Sequence, residues 1–284
     1  MSVRRSSLRA MTRGRATAIY AVLIVASLAA LFPIWRVLSV SVRPGNIIAS
    51  TSLELLPSNA GIQHYVAILT EHDFLQWLWN SILVSVPTAL GATLIASSSA
   101  YVIARRRFRG RKGILMLLLG TQVLPGGAMM MGTYLMIIRL GLSDSYVGLS
   151  LAYMVAAVPL AIWLLKGYYE AIPFEIEQAA MVDGCSRFGA FIRVVVPMSL
   201  PGLTVVFLLG FMGAWNDFMY ARLLLQSSAK FTWPLGLSLL RGRFYTLWGL
   251  FAAGAVMVSI PSILLFFRAQ RNLSSGLTAG GISD

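Results

Sequence analysis

This chain has little of what a catalytic, metal-binding or disulfide-stapled protein is built from. One cysteine, Cys185, stands among 284 residues, so no internal disulfide and no cysteine-based metal site can form. The two histidines, His64 and His72, share one polar stretch without neighbouring ligand residues and read as solvated loop side chains, and no metal site is expected. Lysine is confined to Lys112, Lys166 and Lys230, none of which follows a glycine. A phosphate-binding loop needs Gly-Lys followed by Ser or Thr, so that backbone amides and the lysine cradle the phosphates. Nucleotide is therefore not expected on this chain. Charge of any kind is scarce: 12% of residues are charged, against about 25% in a soluble domain.

What is abundant is apolar surface. Hydrophobic residues make up 57% of the chain and the mean hydropathy is +0.76. Six runs, 16–35, 74–104, 113–138, 145–165, 194–216 and 244–267, contain no Asp, Glu, Lys, Arg or His. About 20 apolar residues cross the hydrocarbon core. The chain therefore reads as all-α, a polytopic membrane protein with six spans at about 16–38, 78–104, 113–137, 146–166, 198–220 and 246–267. Residues 1–15 form a basic N-terminus, and a single transmembrane domain covers 16–284. The first run is longer than the 7–15 apolar residues of a signal peptide core and reads as a retained helix. Pro33, Pro87, Pro125, Pro159 and Pro261 fall within spans, where neighbouring helices can satisfy the freed backbone groups.

The net charge of +13 would suit nucleic acid if it formed a face, but its placement follows membrane topology. Arg4, Arg5, Arg9, Arg13 and Arg15 precede the first span, and Arg105, Arg106, Arg107, Arg109, Arg111 and Lys112 separate the second from the third. Both blocks are expected in the cytoplasm, with the two termini and the loop around 168–197. Residues 43–73, 139–144 and roughly 223–243 are then expected outside, the last weakly because it carries Lys230, Arg241 and Arg243. Ion-coupled transporters bury ionisable groups along their path. The charge-free spans argue against that energy source, and Asp217 and Arg222 read as a solvated interfacial pair.

The loop between the fourth and fifth runs carries a hairpin pattern. Pro173 suits a first helical turn, Glu175 and Glu177 favour its positive end, Gly184 suits a left-handed cap, and Ser186 can cap a second short helix running to Pro197. Ala179 and Ala180 leave a small, flat face. The run Glu177-Gln-Ala-Ala-Met-Val-Asp-Gly184, with Pro197 thirteen residues on, resembles the EAA loop of permease subunits in binding-protein-dependent ABC importers. Gln178 stands where that family usually has Glu, and Val194 and Val196 replace Ile and Leu. Asn80-Ser81, Ala100-Tyr101, the 105–110 block, Leu124-Pro125, Tyr134, Gly141-Leu142, Trp215-Asn216, Trp248 and Ala252-Ala253 are similar to carbohydrate-uptake permeases. Ser41-Val-Arg-Pro-Gly-Asn46 and the tail, Gln270-Arg271, Leu273 and Gly276-Leu-Thr-Ala-Gly-Gly281, are similar to the MalG-like branch of maltose and maltodextrin importers, although the chain closes Ile-Ser-Asp where that branch usually has Val-Lys-Gly.

The resemblance implies the transmembrane domain of a type I ABC importer with a coupling helix. Glu177, Gln178, Ala179, Ala180, Asp183 and Gly184 would meet a cytoplasmic ATPase dimer, and Gly276, Leu277 and Thr278 would reach towards the same partner. It implies a second permease chain, an extracytoplasmic sugar-binding protein, and ATP with Mg held by the partner rather than by this chain. It places the protein in a bacterial or archaeal cytoplasmic membrane, surrounded by lipid and with no nucleic-acid role. The substrate-contacting residues stay unknown at this level. A stand-alone secondary transporter or channel is the alternative, and an integral membrane enzyme lacks any acid–base or metal cluster to support it.

Overall fold

The computed structural model describes residues 13–45, 57, 59–242 and 245–279, with side chains described from 17 to 272 within those limits. Among the described residues the regular elements are helices, and an isolated bridge joins Arg241 to Thr246. In chain order they are α1 (Arg13–Val42), α2 (Gln63–Thr70), α3 (Phe74–Arg105), α4 (Arg111–Val123), α5 (Gly126–Arg139), α6 (Tyr146–Ala171) and α7 (Phe174–Val182). There follow α8 (Arg187–Ala190), a π-helical stretch (Phe191–Val195), α9 (Val196–Met198), α10 (Leu200–Asn216), α11 (Met219–Leu224), α12 (Trp233–Ser238) and α13 (Trp248–Ala279).

Among the described residues four helices, α1, α3, α6 and α13, are long and apolar enough to cross a membrane. Two bent pairs bring the number to six if each pair is one span. The first corrects the unbroken span expected over 113–137: α4 and α5 meet at 107°. Leu124 precedes a proline and is held extended, at φ −66° and ψ 141°, so the helix stops there and restarts after Pro125. The second places the fifth span differently from the expected 198–220. The segment Arg187–Met198 lies at 78° to α10, and α10 itself ends at Asn216. Pro197 and Pro201 each lack an N–H, so the i→i−4 ladder opens on both sides of Ser199, first into π geometry and then into the bend.

α3, α6 and α10 form the centre. Ala89, Ala92, Ala96 and Ala100 are fully or almost fully buried along one stripe of α3. Small residues let helix backbones approach where lipid removes the usual hydrophobic drive between helices. At Gly210 of α10 a Cβ would lie 3.3 Å from the Ala89 Cα, so a side chain there would press the two helices slightly apart. Two apolar clusters cap the centre. One holds Trp77, Phe211, Trp215, Leu224 and Leu235, and the other Tyr169, Phe191, Val195, Ile103 and Leu165. α1 packs against α13 and is exposed along its apolar length, as a lipid-facing helix is.

His64 is buried on α2, correcting its solvated reading. Its Nε2–H donates to the Arg43 carbonyl at 2.8 Å, and its ring lies where a Cβ on Gly249 would stand. α2 is thereby fastened to the end of α1 and the start of α13.

Candidate functional site

The hairpin α7–α8 follows from its own sequence. Pro173 precedes the first turn, which carries Glu175 and Glu177. The helix ends in a Schellman motif: Gly184 N–H donates to Met181 O at 3.1 Å, Cys185 N–H to Ala180 O at 3.0 Å, and Gly184 has φ +91°. Ser186 accepts the Gly189 amide at 3.1 Å and starts α8.

Tertiary contacts then decide which residues point where. Glu177, expected among the partner contacts, faces into the protein and is 1% exposed. Its Oε1 accepts from Arg105 Nε at 2.5 Å and its Oε2 from the Tyr101 hydroxyl at 3.0 Å. The same guanidinium donates to Ile172 O at 2.9 Å and lies 5.7 Å from the Phe174 ring centroid. One arginine at the end of α3 therefore holds both the entry and the first turn of α7. Gln178, Ala179, Asp183 and Gly184 are exposed, and Ala180 is half-buried. Beside them Val182 and Phe188 are 87% and 74% exposed, giving the hairpin an apolar outer face. Gly276, Leu277 and Thr278 lie on the last turns of α13, with side chains outside the described residues, as are residues 280–284 and 46–56.

Arg105 belongs to the hairpin as much as any residue within it. The charge pattern alone marks it as one member of a basic block, because its partner is 72 residues away. Arg111 and Lys166 also meet over one carboxylate, Glu170, at 2.7 and 2.5 Å, tying α4 to the end of α6.

The second polar feature lies towards the opposite end. A cavity of about 290 Å³ opens between α3, α6 and α10, with small walls at Ala92, Ala157 and Gly213. At its polar end Asp217 Oδ1 accepts from the Tyr153 hydroxyl at 2.9 Å and from the Tyr220 and Ala221 amides at 2.9 and 3.3 Å. Asp217 thus caps α11 rather than pairing with the exposed Arg222. A cavity of about 350 Å³ shares Tyr220 and Ala156 with the first, and reaches Thr121, Gln122 and Thr133 beside the α4–α5 break.

That end is closed by the segment after α11. Asn80 donates to the carbonyls of Ala229 and Phe231 at 2.9 and 3.0 Å and accepts from the Tyr146 hydroxyl at 2.8 Å. Asp144 Oδ2 receives Ser227 Oγ and Lys230 Nζ at 2.5 and 2.9 Å, and its Oδ1 receives the Gln226 and Ser227 amides. The Ser227 hydroxyl above all holds the Asp144 carboxyl well below the usual carboxylate range; partial burial, the next largest effect, opposes it and is outweighed once the Gln226 amide and Lys230 ammonium are added.

The family described as the binding-protein-dependent transport system inner membrane component matches residues 82–278, from within α3 to the last turn of α13. The chain belongs to that family. It is a MalG-like sugar ABC importer permease, a multi-pass membrane protein of bacterial type. This permease is 35% identical over 271 residues to the maltose/maltodextrin transport system permease protein MalG of Photorhabdus laumondii, covering 89% of this chain and 90% of the relative. It is 34% identical over 257 residues to the galactooligosaccharides transport system permease protein GanQ of Bacillus subtilis, covering 88% and 89%. The crystal structure of a bacterial ABC transporter that imports the acidic polysaccharide alginate matches it with a TM-score of 0.77 at 25% identity, over 92% of this chain and 98% of that one. The region matched by the family, 82–278, includes the hairpin, the α4–α5 break and Asp217.

Proposed function

We propose that this permease is one of two membrane chains in an ATP-driven importer of an oligosaccharide, in the bacterial cytoplasmic membrane. The observation that carries the reading is the hairpin, anchored from behind by a buried ion pair and presenting Gln178, Ala179, Asp183, Gly184, Val182 and Phe188 outward. An ATPase dimer, holding ATP and Mg, docks on that exposed face. A mechanical coupling needs an element with different contacts in two states and a stiff connection to what it moves. Arg105 supplies the connection here, because displacing α7 also displaces the end of α3.

Both basic blocks and the hairpin then face the cytoplasm, and the 43–73 segment and the loop around 223–243 face a sugar-loaded binding protein outside. Lipid surrounds α1 and the outer faces of α6 and α13. Among sugars, a maltose-like α-glucoside is supported by the MalG-type tail and by the 41–46 segment.

The test is to purify the tagged chain from its native membrane in mild detergent and identify its stoichiometric companions by mass spectrometry. An ATP-binding subunit and a second permease are expected, and Gly184→Pro should release the ATPase while retaining the second permease. Recovery of the chain alone, or only as a homo-oligomer active in uptake without ATP, would replace the importer with a self-contained transporter.

A further inference from the structure

Capping α11 uses only half of the Asp217 carboxylate. All three protein donors converge on Oδ1. Among the described residues no hydrogen bond or ion pair to Oδ2 is found, and the nearby cation, Arg222, does not reach it. Asp217 is half-buried and lines the 290 Å³ cavity, whose other walls are almost entirely apolar. A carboxylate oxygen in such surroundings is costly unless donors reach it, and ionisable groups within membrane proteins mark the routes of their ligands. A lone carboxylate does not make a metal site, and no group of three or more possible ligands exists among the described residues. What fits is a neutral ligand rich in hydroxyl donors.

The neighbouring chemistry agrees. Tyr220 lines both cavities and stands edge-on to Tyr153 at 5.8 Å between ring centroids, bringing a phenol that can donate or accept. Gln122 is exposed at the α4–α5 break and brings an amide that both donates and accepts. Interrupted helices are where transporters place substrate contacts, since only there does backbone and polar side-chain chemistry line a cavity at membrane depth.

We infer that Asp217, Tyr220 and Gln122 form a contact station for a carbohydrate in transit, with Asp217 Oδ2 accepting sugar hydroxyls and setting which hydroxyl pattern passes. The inference rests on the importer reading and adds residues to it. Asp217→Asn keeps Oδ1 as acceptor for Tyr153 and the two amides while turning the free oxygen into an NH₂ donor. Gly213→Leu is an independent steric variant: Gly213 lines the cavity and a Cβ there meets nothing within 4 Å, so a larger side chain takes up cavity volume while removing no hydrogen bond.

The decisive experiment uses the complete importer, this chain with its purified companions, in proteoliposomes supplied with ATP and binding protein. Uptake of radiolabelled maltotriose, a galactotriose and diacetylchitobiose is measured beside ATP hydrolysis. Asp217→Asn and Gly213→Leu are each expected to lower uptake about tenfold, and Tyr220→Phe and Gln122→Ala about threefold, with hydrolysis within about twofold of wild type. Asp217→Asn should also change the uptake ratio between the sugars, which a purely structural cap would not do. If Asp217→Asn lowers recovery of the complex, Gly213→Leu decides, because it removes no hydrogen bond. Wild-type uptake with unchanged variants and an unchanged sugar ratio overturns the station alone. A wild type that takes up none of the three sugars overturns the carbohydrate reading and the station with it.

Discussion

At the hairpin end of the bundle a single carboxylate, Glu177, keeps 2% of its side-chain surface and is held by Arg105 and Tyr101. At the opposite end Asp144 keeps 23% and is held by two amides, a hydroxyl and a lysine. Glu177 thus has two partners and little water, Asp144 four donors and more water, and the consequences differ. A buried charge that loses its partner has no water to turn to, so the Glu177 joint is close to all-or-none. A half-solvated network loses donors one at a time. The hairpin is thus built as a rigid lever on α3, and the opposite end as a closure that tolerates adjustment.

The largest expected effect breaks the lever. Arg105→Ala leaves Glu177 buried and unpaired, at a cost of about 3–5 kcal/mol. Faster amide exchange across 172–197 and loss of ATP-dependent uptake should follow, and the exchanged pair Arg105→Glu with Glu177→Arg should recover part of both. Unchanged exchange in Arg105→Ala would show that the hairpin is held by apolar contacts instead.

Asn80→Ala comes next and tests the other end. It removes donors to two carbonyls and the partner of the Tyr146 hydroxyl, costing about 1–3 kcal/mol. A lower thermal midpoint in detergent is expected, with faster exchange in 225–233 and the hairpin unaffected. Spread of that exchange to 172–197 would mean that the two ends do not open separately.

Gly184→Ala is smaller. A Cβ there meets nothing within 4 Å, so the cost is that of a left-handed backbone alone, about 1–2 kcal/mol, confined to the hairpin. Weaker retention of the ATPase, with no change in the thermal midpoint of the isolated chain, is the expected outcome.

Asp144→Asn is the smallest, about 0.5–1 kcal/mol for a partly exposed network. Because the folded carboxyl titrates below its unfolded value of about 3.9, its contribution is present above that value and disappears as pH falls through the lower folded value. The difference between wild type and Asp144→Asn should therefore be constant from pH 5 to 8 and shrink below about pH 4. A difference that changes between pH 6 and 8 would assign the network to another group.

Much of this was legible in the residues themselves. Charge-free runs announce the helices, because lipid selects composition one segment at a time. The proline, glycine and serine of the hairpin act on their own backbone, so Pro173, Gly184 and Ser186 could be placed from local chemistry, as could the EAA-type pattern. Asp217 could be singled out but not assigned, since Arg222 is near in sequence while Tyr153 is near only in space.

What only the tertiary structure decided are the long-range choices. The inward turn of Glu177 depends on an arginine 72 residues away, and the burial of His64 on the Arg43 carbonyl and the space above Gly249. The 107° break at Leu124-Pro125 is a further case, because a proline permits a kink without setting its angle. Composition and local backbone preference act within a few residues. Which face of a helix is buried, and which half of a carboxylate is left free, follow from how helices far apart in sequence pack together.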